Sequence, residues 1–112
     1  MVESVDLHEA ILESVAIDVE AGKVVFVLTP AQFDGAPECV TFIARGWKSF
    51  ACPKQEPWGH AAVWYVNEAR GPSKLESGLQ HLELEMQSGD VVEIDAVSVE
   101  RIDGRRENRA AG

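Results

Sequence analysis

The chain has 112 residues, of which 46% are hydrophobic and 26% charged, and its formal net charge is -9. This length provides one domain with one core, and the ordinary composition excludes a largely disordered chain. The negative charge excludes a surface that attracts phosphate backbones or anionic membranes. We therefore expect no nucleic-acid partner and no membrane partner.

The charge is unevenly distributed along the chain. Residues 101–112 contain four arginines and two acidic residues, a local charge of +2, which leaves -11 for residues 1–100. We predict a single β domain over residues 1–100 and a polar, frayed C-terminal tail over residues 101–112. The acidic body either attracts a basic protein or simply keeps the protein soluble.

The first residues, MVESVDLHEA, lack the basic and apolar regions of a signal peptide. No apolar run approaches the roughly 20 residues that a membrane span needs. Cys39 and Cys52 do not have the spacing of a CxxC motif. The simplest interpretation is a cytoplasmic protein with two reduced thiols, although a bridge between them is geometrically possible.

The clearest pattern in the first third of the chain is a β-hairpin. Apolar residues alternate with polar ones up to residue 19, and the β-branched run KVVFVLT follows the dipeptide Ala21-Gly22. A two-residue turn at this dipeptide would pair Ile17 with Phe26 and Glu20 with Lys23. All large apolar side chains of the hairpin would then share one face.

Two further strands are predicted in the middle of the chain. Residues 29–38 are rich in Pro, Gly and Asp and indicate a loop, and residues 39–50 form a strand that bends or bulges at Gly46. Residues 53–59 interrupt the pattern, and residues 61–68 form the fourth strand. Residues 69–78 are predicted to be a connection with room for one helical turn.

The second hairpin spans residues 79–99. Leu82, Leu84 and Met86 alternate with polar residues, which is typical of a strand with one buried face. A three-residue turn over residues 88–90, with Gly89 in the left-handed conformation, would pair Leu84 with Ile94. The predicted fold class is mainly β: about six antiparallel strands, as a sandwich or a partly open barrel, with at most one short helix.

The outer face of the second hairpin carries an acidic stripe. The predicted alternation places Glu83, Glu85, Glu93 and Asp95 on this face. Carboxylates on an open, solvated sheet are poor candidates for acid–base catalysis, because catalysis requires a cleft that perturbs their pKa values. A docking surface for a basic protein is the better functional interpretation, and a merely solvated face is the simpler one.

Four other residues are candidates for binding. Trp58 lies between Pro57 and Gly59 in a predicted loop, where a large rigid aromatic side chain can anchor a partner. Tyr65, Asn67 and Glu68 lie at the exit of the aromatic fourth strand, a position typical of binding rims. Asn67 could equally satisfy loop backbone, and Glu68 could form a surface pair with Arg70.

His8 is a candidate for a pocket residue because it lies between Asp6 and Glu9, the densest group of ligating side chains. A metal site needs three or four converging ligands, which the spacing of the histidines does not indicate. An ordinary hydrogen bond of His8 is the alternative. We predict no metal site, no cofactor and no catalytic residue set, and whether the chain is an enzyme stays open, with a binding role favoured.

The segment LHEAILESVAIDVEAGKVVFVL, residues 7–28, resembles a recurring start in small uncharacterised bacterial domains. It is also similar to the start of certain small immunity proteins of bacterial toxin systems. It departs from that pattern in having Glu9 where Asp is expected. The resemblance covers about a fifth of the chain and implies an all-β bacterial protein of unknown or protein-binding function. It assigns no functional residue.

Three functional hypotheses follow from the sequence. The first is a non-enzymatic cytoplasmic domain that binds a protein partner, in its sharpest form an immunity protein against a basic toxin. The second is a small-ligand-binding β-barrel or minor enzyme with a pocket near His8, Tyr65, Asn67 and Glu68. The third is self-association through an exposed strand edge. The identity of a small-molecule ligand is not predicted.

Overall fold

The computed structural model describes residues 7–31, 36–52 and 65–104. Six strands account for most of them: β1 (Ile11–Asp18), β2 (Lys23–Thr29), β3 (Cys39–Ala51), β4 (Val66–Lys74), β5 (Gln80–Met86) and β6 (Val91–Gly104). The described residues contain no helix. The predicted fold class, mainly β with about six antiparallel strands, is confirmed.

All strands belong to one antiparallel sheet with the order β1-β2-β3-β6-β5-β4. In the described part of the chain the sheet is not closed into a barrel. Its two edge strands, β1 and β4, nevertheless meet at one place, where the residues at their beginnings contact each other. Ile11 forms an isolated bridge with Tyr65. The Val66 N–H donates to the Ala10 carbonyl at 2.8 Å, and the Glu9 N–H donates to the Val66 carbonyl at 2.7 Å.

The two long strands, β3 and β6, bend together near Gly46. This glycine has a φ of 68°, and a Cβ atom added to it would lie 2.8 Å from Cγ2 of Val97. The bend folds one half of the sheet over the other, so that Phe26 of β2 packs edge-to-face on Phe50 at the far end of β3, with 6.0 Å between the ring centroids. The expected bend at Gly46 is therefore present, and the ladder irregularity follows it at Lys48.

A single apolar core lies between the two halves of the sheet. Every strand contributes to it, because alternate side chains point inward. Its largest fully buried members are Phe26, Phe42, Leu7, Leu28, Leu82, Leu84, Met86 and Ile94. The inner face predicted for the second hairpin is thus buried. In the first hairpin Val24, Phe26 and Leu28 are buried, but Ile17 and Val19, predicted on the same face, are exposed.

The register predicted for the first hairpin is wrong by two residues. Asp18, not Glu20, pairs with Lys23, and Ile17 pairs with Val24 instead of Phe26. The turn has four residues, 19–22, because the Asp18 carboxylate accepts a hydrogen bond from the Ala21 N–H at 3.0 Å and closes the chain earlier. A shift of two residues keeps the side chains from Ser14 to Asp18 on their predicted faces, whereas a ladder irregularity between Leu12 and Ser14 places Leu12 in the core.

The second hairpin has the predicted turn length at a different place. Its three-residue turn covers residues 87–89, since the Met86 N–H donates to the Asp90 carbonyl at 2.8 Å. Gly89 has the predicted positive φ, at 98°. Leu84 therefore pairs with Val92 instead of Ile94.

Two predicted boundaries also need correction. Residues 69–74 belong to β4 and pair with β5, so the predicted connection is only the short turn between Leu75 and Leu79. β6 continues to Gly104, which pairs with Cys39, so residues 101–104 are strand and not tail. Residues 61–64 and 105–112, together with Trp58, lie outside the described residues.

Cys39 and Cys52 are not joined by a disulfide. Within the described ranges there is no helix long and apolar enough to cross a membrane.

Candidate functional site

The outer side of β4, β5 and β6 carries a dense group of charged side chains, which we call the acidic face. Cross-strand pairing assembles it, because residues directly opposite each other in an antiparallel ladder project to the same side. Arg70 lies opposite Glu83, and Glu83 lies opposite Glu93. The complete set is Glu68, Arg70, His81, Glu83, Glu85, Glu93 and Asp95.

Arg70 contacts three of the carboxylates. Its guanidinium donates to Glu85 Oε1 at 2.5 Å, to Glu83 Oε2 at 2.9 Å and to Glu68 Oε1 at 3.2 Å. The hydrogen bond with Glu85 is the main reason that the pKa of Arg70 is raised. Because the guanidinium is partly exposed, these pairs orient the side chains more than they stabilise the fold.

His81 is surrounded by carboxylates of its own strand, β5, and of the neighbouring strand, β6. Its Nδ1 is 2.5 Å from Asp95 Oδ1, and its Nε2 is 2.9 Å from Glu83 Oε1 and 4.0 Å from Glu93 Oε1. Ionised carboxylates accept hydrogen bonds and cannot donate them, so both ring nitrogens must carry protons to satisfy these contacts. The hydrogen bond with Asp95, followed by that with Glu83, therefore raises the pKa of His81. The bond from His81 in turn lowers the pKa of Glu83.

The acidic face keeps a surplus of negative charge after this pairing. Five carboxylates surround one guanidinium and one imidazole, and His81 contributes its positive charge only when it is protonated. The carboxylates of Glu83, Glu85 and Asp95 are 29–31% exposed, whereas Glu93 is 48% exposed. The face can therefore attract cations while most of its side chains are held by neighbours.

A cleft of about 440 Å³ opens beside the acidic face, where the edge strands meet. His8, Glu9, Asn67, Glu85 and Gln87 contribute its polar lining. His8 Nδ1 is 2.7 Å from the Asn67 carbonyl, and the Asn67 side-chain amide donates to Glu85 Oε2 at 3.4 Å. Glu85 thus belongs to both the cleft and the acidic face.

The structure brings together some of the predicted site residues and separates others. His8 and Asn67 do meet in the cleft, whereas Tyr65 and Glu68 are not among its lining residues. Glu68 belongs instead to the Arg70 network, where the expected surface pair forms at 3.2 Å. The four acids of the predicted stripe share one face, but each of them lies within 4.0 Å of Arg70 or His81 instead of standing alone.

Residues His81, Glu83 and Glu93 form the group best suited to hold a metal ion. Each offers one ligand atom, and these atoms lie within 4.8 Å of one another. Sequence reasoning missed this group because a histidine and two glutamates on two strands become neighbours only in the observed register.

The His81 contacts predict a pH dependence of stability in metal-free protein. Because the pKa of His81 is raised by Asp95 and Glu83, its contribution is fully present below the ordinary value of 6.5 and is lost as pH rises through the folded-state pKa. Because the pKa of Glu83 is lowered from 4.5, its contribution is lost as pH falls through the folded-state value. We expect His81→Gln to destabilise the protein more at pH 5.5 than at pH 9.

Urea unfolding of both proteins with a chelator present measures this difference. The variant comparison isolates His81 from the other charged groups close to it or to its partner, including Glu93 and Arg70. An equal loss of unfolding free energy at both pH values would contradict the role given to the His81 contacts.

No family model matches this chain, and neither the curated proteins nor the solved structures contain a significant match to it.

Proposed function

We propose that this chain is a non-enzymatic bacterial domain that binds another protein through its acidic face, and that it acts in the cytoplasm. The observation that carries the proposal is the charge surplus on an ordered surface: five carboxylates from three paired strands share one arginine and one histidine. Such a surface accelerates encounter with a basic partner and rejects acidic ones. The sharpest form of the proposal is an immunity-type role against a basic toxin.

The geometry favours a different protein over a second copy of this chain. In a two-fold dimer the same patch meets itself, so two acidic faces would place like charges together. Self-association would therefore use another surface. The exposed apolar side chains of Ile17, in the edge strand β1, and Val19, in the turn that follows it, are the candidates for it.

The test compares two double variants: one removes two negative charges from the acidic face, and the other removes two negative charges from elsewhere on the surface. The partner is captured from native lysate on the immobilised chain, purified, and its Kd is measured for each variant. We expect Glu68→Gln/Glu85→Gln to weaken binding at least about tenfold, or about 1.4 kcal/mol, with the loss shrinking at high salt. The control Glu20→Gln/Glu100→Gln removes the same charge from exposed positions outside the face and should bind as the wild type does.

Two results would contradict the proposal. One is equal weakening by both double variants, which would indicate a general charge effect. The other is the absence of a captured protein together with a monomeric mass by light scattering.

The cleft supports a second candidate function, the binding of a small cationic ligand. Its volume of about 440 Å³ falls within the range of ligand pockets, and Glu9 and Glu85 place two carboxylates in its lining. NMR titration with a panel of small amines tests this function. Saturable shifts of the His8, Asn67 and Gln87 amides are expected, and their absence across the panel would exclude it.

A further inference from the structure

We infer that His81, Glu83 and Glu93 bind one divalent transition-metal ion, best matched by Zn²⁺, through His81 Nε2 and one oxygen of each glutamate. This inference goes beyond protein binding and does not depend on it. Neither Glu68 nor Glu85, the residues that test the proposed function, belongs to the ligand set.

The spacing of the donor atoms suits a small metal ion. Zinc bonds to imidazole nitrogen and carboxylate oxygen are about 2.0–2.1 Å long, which places two ligand atoms of a tetrahedral site about 3.3 Å apart. His81 Nε2 is 2.9 Å from Glu83 Oε1 and 4.0 Å from Glu93 Oε1, on either side of that value. Small rotations of two partly exposed carboxylates are enough to reach the metal geometry.

The backbone fixes this arrangement before any metal binds. Glu83 and Glu93 are directly opposite each other on β5 and β6, so their side chains leave the sheet as neighbours on one side. His81 lies two residues earlier on β5 and therefore projects to the same side. Three ligands on a hydrogen-bonded ladder need little ordering on binding, and sites on strands are held more accurately than sites on loops.

Two further side chains orient the ligands, as is usual around protein-bound metals. Asp95 lies 2.5 Å from His81 Nδ1 and holds the proton on that nitrogen, which directs Nε2 toward the glutamates. Arg70 donates to Glu83 Oε2 at 2.9 Å, which leaves Oε1 facing His81. A carboxylate behind the histidine and a donor behind the glutamate are features that a merely solvated acidic patch does not require.

The charge balance also favours a dication. In metal-free protein the proton on His81 Nε2 partly offsets the charges of Glu83, Glu93 and Asp95. On metal binding, that proton is released to solvent, the Nε2 lone pair bonds the metal and Nδ1 keeps its proton. The imidazole ligand selects zinc-like ions over Mg²⁺ and Ca²⁺, which prefer sites made of oxygen alone.

The test measures Zn²⁺ affinity of the full chain at pH 7.5 by competition with a chromophoric chelator. The wild type is expected to bind one Zn²⁺ saturably. We expect His81→Gln and Glu93→Gln to weaken binding at least about tenfold, and Asp95→Asn, which removes only an orienting partner, to weaken it about 10–100-fold. Each variant is first shown to be folded by circular dichroism and urea unfolding.

Matched controls exclude other ligands of the chain. His8→Gln removes a second histidine, Glu100→Gln removes an exposed acid from the same strand β6, and Cys39→Ser/Cys52→Ser removes both thiols. All three should keep the wild-type affinity. Binding that is lost in these controls but retained in His81→Gln would overturn the inference, as would the absence of saturable binding by the wild type.

A spectroscopic measurement identifies the ligand atom directly. In ¹⁵N-resolved NMR spectra of the histidine rings, Zn²⁺ should shift the His81 Nε2 resonance and leave Nδ1 protonated. A spectrum in which His81 Nε2 does not respond to saturating Zn²⁺ would overturn the site even if the affinity is high.

Discussion

Replacing Phe26 by alanine is expected to lower the free energy of unfolding by about 3–5 kcal/mol, the usual cost of deleting a buried aromatic side chain. Phe26 is fully buried and packs edge-to-face on Phe50 across the folded sheet. The substitution therefore leaves a cavity where the two halves of the sheet meet, and backbone pairing on both sides of β2 limits its collapse. Urea unfolding followed by circular dichroism measures the loss.

Val19→Ala provides the control for this substitution. Val19 is 76% exposed in the turn of the first hairpin, so its truncation should change the unfolding free energy by no more than about 0.5 kcal/mol. If Phe26→Ala cost no more than Val19→Ala, the core would not be organised as described.

Replacing Gly71 by alanine is expected to cost about 2–5 kcal/mol, from about 1–2 for the backbone conformation and about 1–3 for overpacking. Gly71 has a φ of 102°, and a Cβ atom there would lie 2.4 Å from the His81 carbonyl oxygen of β5. That neighbour is backbone, so it cannot rotate away as a side chain could. The strands must separate, and Arg70 and His81 should shift with them.

Gly89→Ala separates the two causes. Gly89 has a nearly equal φ of 98°, but a Cβ atom there has no neighbour within 4 Å. This variant should cost only the conformational part, about 1–2 kcal/mol. Equal losses for the two variants in urea unfolding, with unchanged amide NMR shifts near His81, would contradict the close contact of β4 with β5.

The sequence predicts which side chains point inward more reliably than which residues face each other. Alternation in β5 and β6 correctly assigns Leu84 and Ile94 to the core. The period of two, however, is unchanged when a register shifts by two residues, so alternation alone cannot choose between Leu84–Ile94 and the observed Leu84–Val92 pair. The position of the turn selects the register, and in the first hairpin that position depends on one hydrogen bond that the Asp18 carboxylate accepts from the Ala21 N–H.

The same ambiguity of register explains why the sequence does not predict the candidate metal group. In the predicted register His81 would face Val97, whereas in the structure it faces Asp95. The alternation correctly places the acids of β5 and β6 on one outer face. Which acids contact His81 depends on the register of β5 and β6, and which acids contact Arg70 depends on the pairing of β4 with β5. Arg70 lies in a segment predicted as a connection, so its contacts with Glu83 and Glu85 could not be derived.

The cleft depends on contacts between residues that are far apart in the chain. His8 and Asn67 meet because Ala10 and Val66 bring the two edges of the sheet together. No local pattern near either residue specifies that meeting. The predicted pocket of His8, Tyr65, Asn67 and Glu68 therefore rests on residue type alone, and Tyr65 and Glu68 do not line the cleft.

The strand order has a consequence for how fast the protein folds. Strands β1–β2–β3 and β4–β5–β6 are two meanders whose pairings join near neighbours in the chain, whereas β3 and β6 pair residues as distant as Cys39 and Gly104. Bringing β3 and β6 together closes the long stretch of chain between them, and the entropic cost of this closure is met before the distant contacts form. We therefore expect each meander to form early and the joining of β3 to β6 to be the rate-limiting step of refolding.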